Sequence, residues 1–279
     1  MTGQLSISVA DVADVATILE WAADEGWNPG VDDAAAFHAS DPAGFLLGSI
    51  DGESMAAISV VRHGPSFAFL GLYLVRPGWR GHGYGLAVWR AGLPLAGDRT
   101  IGLDGVVDRQ ADYRRSGFTP VRRNVRFGGV GGGTRPPGLT PLGDVPLERL
   151  LDYDARIFPT RRQRYLGAWL AMPAAHGLAA LRDGAVVGYG VARQCRVGVK
   201  VGPLFADDAP TAEALYAGLA AWTGSQPIFL DVPEPNAAAV ALAERHGLIP
   251  GFETARMYAG TAPHEPVGRI FGVTSFELG

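Results

Sequence analysis

The chain has 279 residues, 47% hydrophobic and 19% charged, with a net charge of −4. That length and apolar content predict one large or two smaller globular domains with proper cores. The mild acidity, without a basic block or charged tail, argues against nucleic acid as a partner, and no window approaches about 18 uninterrupted apolar residues, so no membrane is expected.

Cys195 is the only cysteine, which gives no disulfide framework and no thiolate cluster for a metal. The histidines show no metal-ligand spacing, so the expected metal is none. "MTGQLSISVADVAD" carries acids and no apolar core, so a signal peptide is not expected and the predicted location is cytoplasmic. Lys200 is the sole lysine in a chain rich in arginine, alanine and glycine, a bias of bacterial, GC-rich genomes.

In chain order, apolar spacing predicts a helix over 11–25. Three short strands follow within 43–75, with a hairpin turn at Asp51-Gly52. The stretch "VRPGWRGHGYG" comes next, then a helix over 85–96, a strand "TIGLDGV", a short helix through Tyr113 and a strand "FTPVRRNVRFGG". "GGVGGGTRPPGLTPLGDVP" reads as an interdomain linker, because its glycines and prolines pack little and stop regular structure. Beyond it come helices in "LERLLDYDARI" and "RRQRYLGAWLA", a hairpin around Asp183-Gly184, a strand "VGVKVGPLF" and a helix "TAEALYAGLAAW". A strand "PIFLDV", a helix "NAAAVALAERHG" and a strand "FETARMYAG" follow. Each half is thus α+β, an α/β mixed sheet with antiparallel strands first. Two copies of one fold are expected, over 1–129 and 147–279, with 130–146 as linker.

"VRPGWRGHGYG" lies between a strand and a helix start. Glycines allow successive N–H groups to converge on one point, the helix N-terminus aims its dipole there, and Arg76 and Arg80 add positive charge. A glycine-rich connector that binds nothing is the plain alternative. The stretch resembles the pyrophosphate loop of the GNAT acetyltransferases, Val-x-Pro-x-x-Arg/Gln-x-x-Gly-x-Gly/Ala. Val75, Pro77, Arg80, Gly83 and Gly85 fill its fixed positions, and Gly81 is the common extra glycine. The resemblance implies two tandem GNAT (acyl-CoA N-acyltransferase) folds and acetyl-CoA as cosubstrate. Its cofactor contacts would be Leu74, Val75, Arg80, Gly81, His82, Gly83, Tyr84 and Gly85.

"YRRSGF", 113–118, is similar to the family's Tyr-x-x-x-Gly-Phe, in which the tyrosine is the acid for the departing thiolate. A phenol of pKa about 10 can serve a thiolate whose acid is near about 8.5 once both are positioned. In the second half "GPLFADDAPTAEAL" lacks the arginine and spaced glycines, and Ala243 stands where Tyr113 does. Asn236 stands seven residues before that alanine, and Val106 seven before Tyr113. The chain is therefore similar to bacterial tandem-GNAT proteins with one working site, in the first half, and a degenerate second domain.

The class transfers acetyl directly to a primary amine within a ternary complex. Family members often place a glutamate on the strand before the loop; Gly71, Leu72 and Tyr73 stand there, and the base is left unassigned. Asp104 is a candidate catalytic amine contact, or an aspartate capping the turn before Gly105. Glu25, Trp27 and Asn28 in "DEGWNPG", with Tyr73 and Asp231, are the acceptor-side candidates, and Asp154 is a further carboxylate. The expected function is acetyl-CoA-dependent N-acetylation of a small-molecule amine by a monomer or homodimer, the second half shaping the acceptor pocket. The alternative is a non-catalytic acyl-CoA-binding sensor or interaction protein.

Overall fold

The computed structural model describes residues 4–279; residues 1–3, which open the domain expected over 1–129, lie outside the described residues. After strand β1 (Ser6–Val9), Asp11 starts helix α1 (Val12–Asp24) with a capping box: its carboxylate accepts from the Ala13 and Asp14 amides while Asp14 accepts from the Asp11 amide. Helix α2 (Asp33–Ser40) follows, then the meander β2 (Phe45–Ile50), β3 (Glu53–Arg62) and β4 (Phe67–Val75). Next come α3 (Tyr84–Gly92), β5 (Thr100–Val106), α4 (Gln110–Arg115) and β6 (Thr119–Val130).

The second half repeats the order. It runs β7 (Leu139–Pro141), α5 (Leu147–Asp154), α6 (Gln163–Leu170), β8 (Ala175–Arg182), β9 (Ala185–Gln194) and β10 (Val199–Ala206). It continues through α7 (Ala209–Thr223), β11 (Pro227–Pro233), α8 (Ala237–Arg245), β12 (Ile249–Ala259) and β13 (Ile270–Gly272). Both Asp-Gly hairpins form, each with two residues at positive φ.

Three short strands, β1, β7 and β13, and helix α2 go beyond the sequence expectation. Helix α2 has no side-chain cap, and its buried face includes an acid, Asp33, whose partner Arg193 lies 160 residues away. Tertiary contact therefore supports a helix that local pattern does not announce. The linker expected over 130–146 is shorter in space: β6 runs through Val130, β7 pairs with β8, and the Gly131 and Gly132 amides donate to Gln226 and Ala220.

The strands form a single sheet in the order β1-β2-β3-β4-β5-β12-β6-β11-β10-β9-β8-β7, with β13 on β10. The halves exchange their last long strands. Strand β12 of the second half lies between β5 and β6, and β6 of the first lies between β12 and β11. The sheet therefore runs unbroken across the linker expected over 130–146. Helices α1, α2, α5 and α6 share one core, in which Phe37 stacks on Trp169 at 6.1 Å.

Parallel pairing of β4 with β5 covers only Phe67–Leu70 against Thr100–Leu103, and then the strands part. Parallel pairing of β10 with β11 likewise stops after Val201 and Leu230. In the second half the gap is filled: β13 pairs with β10, and the Val273 amide donates to the Asp231 carbonyl on β11. The chain then crosses to the first half, where a Cβ on Gly71 would collide with the Glu277 carbonyl. Only glycine leaves room for that approach.

His63, at the end of β3, anchors this segment by donating from Nε2 to the Leu278 carbonyl at 2.9 Å. Complete burial, reinforced by the Arg162 charge, lowers its pKa from the ordinary 6.5 to about 3, so the folded protein holds it neutral. The residue costs nothing above pH 6.5; below it the unfolded chain binds a proton that the fold refuses, until about pH 3. Unfolding free energy is expected to lose about 1.4 kcal/mol per pH unit to this residue across that window. Denaturant titrations at several pH values should show His63→Leu flattening the decline, and an unchanged slope would refute the account.

Candidate active site

Where β4 and β5 part, a cavity of about 690 Å³ opens between the loop after β4, helix α4 and strand β12. Its loop end is built from backbone. Gly83 caps α3 with φ +85°, a conformation an L side chain disfavours, and supplies no side-chain cap. Ala87 bonds back to the Gly83 carbonyl, but the N–H groups of Gly83, Tyr84, Gly85 and Leu86 donate to no atom among the described residues. Four free donors on a positive helix end form a ready anion site. The matching helix α7 is closed instead. Asp208 caps it, accepting from the Thr211 amide at 2.8 Å, and bonds from Thr211 and Arg182 hold its pKa down to about 2.

Of the expected cofactor residues, Leu74, Val75, Arg80, Gly81, Gly83, Tyr84 and Gly85 line the cavity. His82 is outside that lining, its ring stacked on Tyr84 at 5.9 Å. Arg80 braces the loop, donating from Nε to the Val75 carbonyl at 2.8 Å and pairing with Glu25. Glu25 thus lines the cavity with its charge already matched. Tyr73 lies against Trp89 at 5.2 Å, and Gly85 carries no side chain where the Tyr73 hydroxyl comes close.

Tyr113 lines the cavity from α4, buried against Trp89 and Phe118. Burial, with the neighbouring Tyr73 phenol, raises its pKa above the ordinary value and keeps the proton on at neutral pH. A protonated phenol in an apolar wall can give its proton to a leaving thiolate.

The acidic candidates are placed differently from expectation. Asp104 reaches the wall but is fully paired. It accepts from Arg256 at 2.7 and 3.0 Å and from Asn124 at 2.7 Å, with no side-chain exposure. It neither caps a turn nor offers a free oxygen to an amine; it holds β12 and β6 to β5. Asp231 is outside the cavity lining and makes the matching pair with Arg126 at 2.6 and 2.8 Å. Burial alone would raise the Asp231 carboxyl, but Arg126 holds it below its ordinary value. Asn28 also leaves the site, its amide clamping the Val197 backbone from both sides. Asp154 is consumed by Arg162 and Tyr189. Trp27 is retained: it lines the wall, and its carbonyl accepts from Arg126 and Lys200.

Among the lining residues that the sequence reading did not single out are Arg126 on β6, Phe252 and Thr254 on β12, and Phe276 and Glu277 beyond β13. The last four of these come from the second half, and the Arg126 guanidinium lies over the rings of Phe276 and Phe252 at 5.0 and 5.6 Å. The likeness of "NVRF" to "TARM" was the available signal for the exchange, and "TSFELG" carries none.

The chain is similar to known acetyltransferases in sequence and fold. A model described as acetyltransferase (GNAT) family matches residues 12–118, and one described as acetyltransferase (GNAT) domain matches 150–272. The holothin acyltransferase of Pseudoalteromonas sp. (strain SANK 73390) is 29% identical over 93% of this chain and 90% of its own length. Among solved structures, a putative acetyltransferase from Pyrococcus horikoshii superposes with a TM-score of 0.86 at 22% identity, covering 100% of this chain and 97% of the other. A tandem GNAT protein from the clavulanic acid biosynthesis pathway gives 0.63 at 17% identity, covering 93% and 100%. Both share the fold. No helix among the described residues is long and apolar enough to cross a membrane.

Removing Asp104 leaves the buried Arg256 charge without its main partner. Asp104→Ala is expected to cost about 3–5 kcal/mol of stability in a denaturant titration. A role as amine contact would instead raise KM and leave stability unchanged.

Proposed function

The chain is a transferase that belongs to the GNAT acetyltransferase family, with its fold in both halves, and on that premise we propose that the first half moves an acetyl group from acetyl-CoA to the primary amine of a small molecule. The observation that carries this is the set of free N–H groups from Gly83 to Leu86, opening on the cavity that also holds Tyr113. Those donors receive the pyrophosphate. The thioester lies along the unpaired edge of β4, and Tyr113 protonates the thiolate as the amine attacks.

The second half walls the acceptor side and binds no coenzyme of its own. Its parted strands hold β13, its helix end is capped by Asp208, and Ala243 takes the place of the acid. With Asp104 and Asp231 spent on arginines and Trp27, Phe252 and Phe276 in the wall, the acceptor is a small amine on an apolar frame rather than a polycation. The relative named for acylating holothin supports a small-molecule acceptor. A sensor that only binds acyl-CoA would have no use for a buried phenol at the thiol end, which favours catalysis.

Calorimetric titration with acetyl-CoA is expected to show one site per chain. Tyr113→Phe should lower kcat by about 100-fold or more while leaving the acetyl-CoA Kd unchanged within about twofold. Two sites would overturn the closed second half, no binding would overturn the reading as a whole, and full turnover without the phenol would remove Tyr113 from the chemistry.

A further inference from the structure

Glu277 is buried in the cavity wall, and it alone among the buried acids there has no cation within pairing distance among the described residues. Its Oε2 is fully buried without a hydrogen-bond partner, and no bond is made to Oε1. A buried carboxylate that accepts no hydrogen bond has open lone pairs for a donor that enters the cavity. The cations around it are committed elsewhere. Arg126 holds Asp231 and the Trp27 carbonyl, Arg193 holds Asp33, and Lys200 donates to the Trp27 carbonyl. They place positive charge near Glu277 and leave its lone pairs open.

Its placement is also specific. The Glu277 backbone carbonyl lies against Gly71, at the point where β4 leaves β5 and where that strand carries no carboxylate of its own. Ser275 braces the turn by accepting from the Leu278 amide at 3.0 Å, and His63 fixes the Leu278 carbonyl. Residues that plug the second half's gap thus continue into the first half's site and bring an acid with them.

We propose that Glu277 is the base that receives the acceptor's proton, so that the second half supplies a reacting group as well as a wall. This rests on the amine-transfer reading above. The amine enters as an ammonium ion and gives one proton to the Glu277 carboxylate, directly or through one water. Its freed lone pair forms the N–C bond as the C–S bond breaks, and Tyr113 protonates the sulfur. The second proton, lost by the acylated nitrogen, restores Tyr113, and Glu277 passes the first to solvent, so one proton is released per acetyl group transferred.

The test is steady-state thiol release by the full chain from acetyl-CoA, with a panel of alkylamines and arylamines as acceptors. Glu277→Gln is expected to lower kcat about 100-fold or more for an alkylamine that is charged at pH 7, with the acetyl-CoA Kd unchanged within about twofold. For an arylamine, already neutral at that pH, the deficit should shrink at least about tenfold, since no proton need be removed before attack. Gly71→Ala, which displaces Glu277 while leaving its carboxylate intact, should reproduce the pattern. A Glu277→Gln protein as fast as wild type, or one slowed equally for both acceptor kinds, overturns the assignment alone. A wild-type protein that binds acetyl-CoA but acetylates no amine overturns the amine reading, and the assignment with it.

Discussion

Two buried arginine–aspartate pairs hold the exchange of strands on which the rest of the molecule depends. Asp104 on β5 faces Arg256 on β12, and Asp231 on β11 faces Arg126 on β6, each in direct cross-strand register. In both, the acid belongs to one half and the arginine to the strand lent by the other. Burial makes each charge expensive without its partner, so the pairs weigh less as net stabilisation than as a penalty on any other register. A slip of one residue would strand four charges in the middle of the sheet and turn every side chain to the wrong face.

That constraint shapes the site. Because β12 must lie beside β5, Phe252 and Thr254 form the cavity's far wall, and Arg126, drawn to Asp231, spreads its guanidinium beneath Phe252 and Phe276. The same residues that align the sheet take Asp104 and Asp231 away from an amine. The pocket is therefore aromatic where the sequence pointed to carboxylates. The halves also differ in how each helix end is closed: free amides at α3, an aspartate side chain at α7.

What was legible in the sequence is what local physics governs. The glycine loop, the hairpin turns, Tyr113 and the internal repeat all rest on short-range spacing. The exchange was hidden because β6 and β12 resemble each other: either would satisfy the same sheet edge, and the choice is made by partners more than 100 residues away. Asp104 and Asp231 stand out as candidate carboxylates, but an aspartate's role depends on whether an arginine faces it. Glu277 was invisible for a related reason. "TSFELG" has no periodicity, and its meaning lies in the gap left at Gly71, 206 residues before Glu277.

The exchange also sets an order of events during synthesis. By residue 130 the ribosome has made every strand of the first half, yet the native partner of the β5 edge, β12, is complete only at residue 259. At about 5–20 residues per second that wait is on the order of ten seconds. Throughout it Asp104 is without Arg256, and β6, with its Arg126, is the strand at hand for that edge. The native sheet, and with it the cavity wall built by Phe252 and Thr254, is therefore completed in one late step.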